Sequence, residues 1–260
     1  MRKIFKYSFF DLIRSRWSII YFLFYFVISI TLFSFSANLS MVIISLMNIV
    51  LIIIPLVATV FGITYYYNSR EFTELLLAQP IKRSNIFLGQ YLGVATSLSL
   101  GSILGIGIPF IIYGIIGSTE VFNFLILIIT GGFLNFIFVA FAFIIAMKNN
   151  NKIKGFGFAT LLWLFMAIIY DGLFLLLLVV FNDYPLEKAA LGLTLLNPID
   201  LSRILILLKL DISALMGYTG AVFSKFFGHL GGGLLSMLSL SLWVIIPTYF
   251  IVRIAKKKDF

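Results

Sequence analysis

The chain has 260 residues, of which 62% are hydrophobic and 11% charged, with a mean hydropathy of +1.12. Soluble domains are about half apolar and about a quarter charged, and one core of this length cannot bury so much apolar surface, so a soluble domain is excluded and lipid must solvate much of the exterior. No cysteine and a single histidine remove disulfides, thiolate metal sites, cysteine nucleophiles and most histidine-based catalysis.

The fold class that follows is an all-α polytopic membrane domain occupying residues 1–260, with six transmembrane helices. Residues 1–16 interleave Ile4, Phe5, Phe9, Phe10, Leu12 and Ile13 with basic residues, the composition of an amphipathic interfacial helix or of a positively flanked span start. A span needs about 20 apolar residues, and the first two run over residues 17–37 and 41–65, with no signal-peptide cleavage site after the first. The triplet Tyr65 to Tyr67 suits an aromatic belt.

Residues 68–90 form a coupling elbow, read from NSREFTELLLAQPIKRSNIFLGQ as two short helices. Asn68 followed by Glu71 resembles a capping box. Pro80 stops the first helix, since it lacks a donor and pushes its predecessor out of the α region. A second helix restarts near Ser84, and Phe72, Leu75, Leu76 and Gln79 share a helical face. Glu71, Glu74, Lys82 and Arg83 are then exposed, as a docking surface for a cytoplasmic partner or as ordinary membrane-flanking charges.

The third span covers residues 91–116. Gly89, Gly93, Ser97, Gly101 and Gly105 recur every fourth residue into it, a smooth helix-packing ridge serving either this subunit or a dimer. The fourth and fifth spans cover 121–147 and 155–181. Asp171 is the one formal charge deep in a span, hence a candidate for proton or substrate handling, or a structural charge hydrogen-bonded by Asn135 or Tyr170. Residues 182–233 form an outer, periplasmic amphipathic segment, too long for a turn. Within it NPIDLSRILILLKLD reads as a helix lying on the leaflet or receiving an outer protein, with Asn197 as cap and Pro198 in its first turn. His229 has no His or Cys companion and reads as interfacial rather than metal-binding. The sixth span covers 234–252, and Pro55, Pro109 and Pro247 lie within spans as possible kinks or hinges.

Fifteen of the nineteen basic residues fall on one side: Arg2, Lys3, Lys6, Arg14, Arg16, Arg70, Lys82, Arg83, Lys148, Lys152, Lys154, Arg253, Lys256, Lys257 and Lys258. The positive-inside rule makes that side, and both termini, cytoplasmic. The net charge of +9 therefore reflects orientation and attraction to anionic lipid rather than nucleic-acid binding. No phosphate-cradling G-x-x-x-x-G-K-[ST] motif, catalytic set or metal cluster occurs, so the chain is read as a non-catalytic subunit whose energy comes from a separate protein.

The segment REFTELLLAQPIKRSNIFLGQYLG resembles the elbow between spans two and three of ABC-2 type transporter permeases. The branch it is most similar to serves nitrous oxide reductase maturation, through an LLLAQP-x-x-R core at Leu75 to Pro80 with Arg83 and an outer LNP-x-D-x-x-R segment at Leu196 to Asp200 with Arg203. Two positions depart from the branch: Phe72 stands where glycine is common and Gln90 where lysine is common. The resemblance implies a homodimeric subunit in the bacterial inner membrane, with two copies of a cytoplasmic ATPase holding the ATP and Mg. It places ATPase coupling at Glu71, Glu74, Gln79, Pro80, Lys82 and Arg83, and docking of a periplasmic copper-handling protein at Asn197, Pro198, Asp200 and Arg203. Copper would sit on partners in assembly of the copper–sulfur centre, with no cofactor in this chain. The rival readings are an ABC-2 exporter of lipid, glycan or drug and, more remotely, a proton-driven secondary transporter using Asp171.

Overall fold

A computed structural model describes the backbone of residues 1–36, 38–181, 187–209 and 217–257, and the side chains of all of these but 178, 187, 188, 208, 209 and 217–230. The described residues are almost all helical, and six helices are long and apolar enough to cross a membrane: Arg16–Phe35, Leu39–Asn68, Arg83–Ile112, Val121–Lys148, Lys152–Leu177 and Gly231–Lys257. Each overlaps a span read from the sequence.

Helix α1 (Arg2–Ile13) is followed after a corner at Ser15 by α2 (Arg16–Phe35), with Ser15 Oγ accepting from the Trp17 amide at 3.3 Å. Asn38 caps α3 (Leu39–Asn68), its Oδ1 accepting from the Ser40 amide at 3.0 Å. The short α4 (Arg70–Leu77) leads through Pro80 into α5 (Arg83–Ile112). Beyond α5, Gly114 adopts φ +84°, a left-handed conformation that suits glycine and turns the chain. Next come α6 (Val121–Lys148) and α7 (Lys152–Leu164), which Asn151 caps. A π turn over Phe165–Ile169 joins α7 to α8 (Tyr170–Val180) as one span. Helices α9 (Glu187–Leu195) and α10 (Pro198–Lys209) precede α11 (Gly217–Lys257). Pro55, Pro109 and Pro247 all lie inside continuous helices.

The centre of the bundle is α3 against α6. Val42, Leu46, Val50, Ile54 and Ala58 recur at helical spacing and are buried with Leu127, Leu134, Phe138 and Ala142. A Cβ at Gly62 would lie 2.8 Å from that of Ala142, and one at Gly131 2.9 Å from Ile54 Cδ1, so these two glycines set how closely the helices approach. On the other flank α5 packs on α6, while α11 is tied in where the Thr248 hydroxyl donates to the Tyr91 hydroxyl at 3.2 Å.

The glycine ridge on α5 packs within the subunit. A Cβ at Gly93 would sit 2.7 Å from Ser8 Cβ and 3.0 Å from the Phe5 carbonyl oxygen, and one at Gly105 2.7 Å from the Phe22 carbonyl oxygen. Gly89 meets Ile4, Gly101 meets Tyr21, and Ser97 is buried between them. The ridge thus seats α1 with its first half and α2 with its second. That seating explains why Ile4, Ser8 and Leu12, one stripe of α1, are buried.

Three expectations are corrected. The elbow has one short helix, because its second half is the start of the 30-residue α5. The Asn68–Glu71 capping box is absent: Asn68 ends α3, Ser69 precedes α4 without a side-chain cap, and Asn68 Oδ1 instead accepts from Lys152 Nζ at 3.1 Å. Finally, α10 does not lie on a surface. Ile199, Leu201, Ile204, Leu205, Ile206 and Leu207 are all buried, with Asp200 and Ser202 beside them, so α10 inserts against α3, α6 and α11. With α9 it makes a hairpin bent by 109°. Of the outer segment, residues 182–186 and 210–216 lie outside the described residues, as do the side chains of Lys188, Lys209, Lys225 and His229.

Candidate functional site

Two polar constellations stand out against the apolar bundle, at its two ends. The first is the elbow. Glu74 accepts the α4 C-cap amide of Ala78 at 3.2 Å, and the Ile81 amide closes a tight turn on the Gln79 carbonyl at 2.7 Å around Pro80. The proline thereby reverses the chain from α4 into α5. All six coupling candidates, Glu71, Glu74, Gln79, Pro80, Lys82 and Arg83, are exposed, and so is Leu75 at 68%. Arg70 Nε donates to Glu74 Oε1 at 3.0 Å, an exposed pair one helical turn apart.

The expected common face of Phe72, Leu75, Leu76 and Gln79 does not stay together: Phe72 and Leu76 are half-buried, whereas Leu75 and Gln79 are exposed. What holds α4 down is different. Thr73, buried, accepts a hydrogen bond from Gln90 Nε2 at 2.8 Å while its own hydroxyl donates to the Ser69 carbonyl at 2.8 Å. The Phe72 ring stacks on Tyr7 of α1 with centroids 4.5 Å apart. The elbow is therefore fastened to α5 by the Gln90–Thr73 hydrogen bond and to α1 by the Phe72–Tyr7 ring pair. Phe72 was singled out in the sequence by its helical face and by its departure from the branch the chain resembles, and Gln90 by its departure alone. Tyr7 and Thr73 gave no such signal.

The second constellation lies between α8 and the α9–α10 hairpin. Arg203 Nη1 donates to Asp171 Oδ2 at 2.8 Å and to Asp200 Oδ1 at 3.3 Å, with side-chain exposures of 34%, 28% and 10% respectively. Asn197 Oδ1 caps α10 by accepting from the Ile199 amide at 3.0 Å, and its Nδ2 donates to Asp200 Oδ2 at 3.0 Å and to the Met166 carbonyl in the π turn at 2.9 Å. Tyr170 donates to the Leu193 carbonyl at 2.6 Å and the Trp243 indole N–H to the Leu195 carbonyl at 3.0 Å, closing the hairpin against α8 and α11. Asp171 is thus neither free nor held by Asn135 or Tyr170: its partner is Arg203, while Asn135 Nδ2 reaches Ser102 at 3.4 Å. Two carboxylates flank one guanidinium, so the cluster keeps an excess negative charge unless a proton or a further cation joins it.

The outer docking set is placed accordingly. Asn197, Pro198 and Asp200 are buried and bonded within the chain, which corrects their reading as surface contacts, and Arg203 is the partly exposed member. They build the hairpin.

No family model matches the sequence. Two curated relatives do. A protein of Stutzerimonas stutzeri described as "Probable ABC transporter permease protein NosY" is 27% identical over 168 residues, 62% of this chain and 61% of the relative. A protein of the same description from Pseudomonas aeruginosa strain PAO1 is 27% identical over 185 residues, 66% of each. The chain spans just under two thirds of the length of the curated relatives it matches. With six membrane-crossing helices and an elbow exposed between the second and third, this chain is a polytopic membrane protein similar to NosY-type ABC transporter permeases.

Proposed function

We propose that the chain is the membrane subunit of an ABC transporter and that it transmits the work of a separate cytoplasmic ATPase across the bilayer. The observation behind this reading is the elbow: a short helix exposing Glu71, Glu74 and Leu75, followed by exposed Lys82 and Arg83 at the start of the 30-residue spanning helix to which it is fastened. A push on α4 passes to α5 through Gln90 and to α1 through Phe72, and the glycine ridge holds α1 and α2 against α5. In this reading the elbow end, which gathers the basic residues, is cytoplasmic. Two copies of the chain stand on two ATPases that hold the ATP and Mg, in the inner membrane of a bacterium.

At the far end the hairpin, clamped by Asp171, Asp200 and Arg203, answers the movement of α8 and presents it to an outer partner. The similarity to NosY-type permeases and the LLLAQP-x-x-R and LNP-x-D-x-x-R motifs support a role in assembling the copper–sulfur centre of nitrous oxide reductase, with copper held by a periplasmic partner. Purification of the tagged chain in mild detergent from its own cells, with mass spectrometry of what accompanies it, tests this. An ATPase together with a periplasmic protein is the expected result. An ATPase alone would move the reading to an exporter of lipid, glycan or drug, and no ATPase would overturn it in favour of a carrier built on Asp171.

A further inference from the structure

At the basic end of the bundle two cavities of opposite character meet at Ser15. One is a cleft of about 440 Å³ between the α1–α2 corner and the end of α3, walled by Leu12, Trp17, Val60, Phe61 and Tyr65. The other, about 930 Å³, is an open groove along α1 bordered by Lys3, Lys6, Asp11 and Arg14. Both volumes are in the range of ligand sites, roughly 300–1,000 Å³. The cleft is apolar, and apart from Leu12 of α1 these wall residues belong to the spanning helices α2 and α3. Val60 lies eight residues before Asn68 at the end of α3, so the cleft reaches about 12 Å down the helix, into hydrocarbon rather than headgroups.

The groove has three cations and one acid, and among the described residues none of Lys3, Lys6 and Arg14 is in an ion pair. Lys6 Nζ and the Arg14 guanidinium both sit over the Phe10 ring, 6.0 and 5.7 Å from its centre, which keeps the two charges together. A cationic groove opening into an apolar, membrane-depth cleft complements an amphiphile with an anionic head. A soluble protein would leave the cleft unfilled.

The geometry points to a binding site for a single anionic glycerophospholipid at this corner, with its phosphate between Lys3, Lys6 and Arg14 and one acyl chain in the cleft beside Trp17. The site rests on the chain's place in a membrane and not on the ABC transporter reading. Since α1 is seated on the glycine ridge and stacks on Phe72, the lipid braces the helix that supports the elbow.

Trp17 is a built-in reporter, since only Trp163 and Trp243 accompany it. The full chain with Trp163→Phe and Trp243→Phe is reconstituted in phosphatidylcholine vesicles holding a small fraction of either dibrominated phosphatidylglycerol or dibrominated phosphatidylcholine. Phosphatidylglycerol is expected to quench Trp17 at a several-fold lower mole fraction, and Lys3→Gln, Lys6→Gln and Arg14→Gln together remove the difference. Equal quenching by the two lipids, or a preference that survives the three substitutions, overturns the site. Native mass spectrometry of the unaltered chain offered equal amounts of both lipids decides independently: one retained phosphatidylglycerol supports the site, and equal retention of both overturns it.

Discussion

The elbow and the α9–α10 hairpin carry similar sequence signals, a short helix beside a proline with charged residues at fixed spacing, and the bundle treats them oppositely. The elbow stays outside, with five charged or polar candidates and Pro80 on its surface and the Gln90 and Phe72 tethers beneath. The hairpin goes inside, with its proline buried and its asparagine bonded to its aspartate and to the π turn. The difference is in the residues between the charges. In α4, Glu71 and Glu74 interrupt the apolar positions and leave one buried residue, Thr73; in α10, leucine and isoleucine hold seven of the twelve positions and the aspartate among them is paired with Arg203, which lets the helix be buried. Charged residues near a membrane surface therefore stay accessible only where the helix that bears them has a solvated face.

This contrast can be broken most severely at Arg203. Arg203→Met leaves Asp171 and Asp200 facing each other without a cation, a loss of about 2–3 kcal/mol for a partly buried charged pair, read as a lowered unfolding midpoint in detergent. Adding Asp171→Asn should recover part of that loss, as coupled neighbours do. A midpoint unmoved by Arg203→Met would mean the cluster is solvated like the elbow. If the double variant retained full biological activity, Asp171 would be a structural charge and the proton route would be closed.

The second lesion is Gly93→Val, which drives a side chain into Ser8 and the Phe5 carbonyl and costs about 1–3 kcal/mol. Detachment of α1 should appear as faster tryptic cleavage after Arg14 in the folded chain. Cleavage at the original rate would place the ridge contact elsewhere. Smaller still is Gln90→Leu, which removes the bond to Thr73 at about 1 kcal/mol. Hydrogen exchange should rise over residues 70–82 and stay unchanged in α5. Uniform protection would show that Phe72 and Tyr7 alone hold the elbow.

The least disturbance to the fold comes from Glu71→Lys with Glu74→Lys. The Arg70–Glu74 pair is exposed and worth about 0.3–0.5 kcal/mol, so the midpoint barely moves. Stimulation of the partner ATPase by the reconstituted chain should nevertheless fall away. Retained stimulation would remove these two residues from the coupling surface.

Much of the architecture was legible along the chain because the bilayer imposes a length on apolar segments: six runs near or above 20 residues became six spans, and glycine at every fourth residue became a packing face. Asn38, Ser15 and Asn151 show what was missed at finer scale, since a cap is read from a polar residue whose partner is a backbone amide only the folded turn supplies. The Asn68 cap failed for the reverse reason: α3 ran on past the expected boundary and spent Asn68 on Lys152.

The sequence by itself determined a helical membrane protein, six helices long and apolar enough to cross a bilayer, the turn at Pro80 and the surface character of Glu71, Glu74, Lys82 and Arg83, because these follow from composition, periodicity and backbone chemistry within a few residues. The tertiary structure alone decided that the ridge seats α1 and α2, that Gln90 and Phe72 tether the elbow, and that Asp171 meets Arg203 across 32 residues. Those contacts join positions far apart in the chain, and only the packing of whole helices brings them within the few ångströms over which hydrogen bonds and ion pairs act.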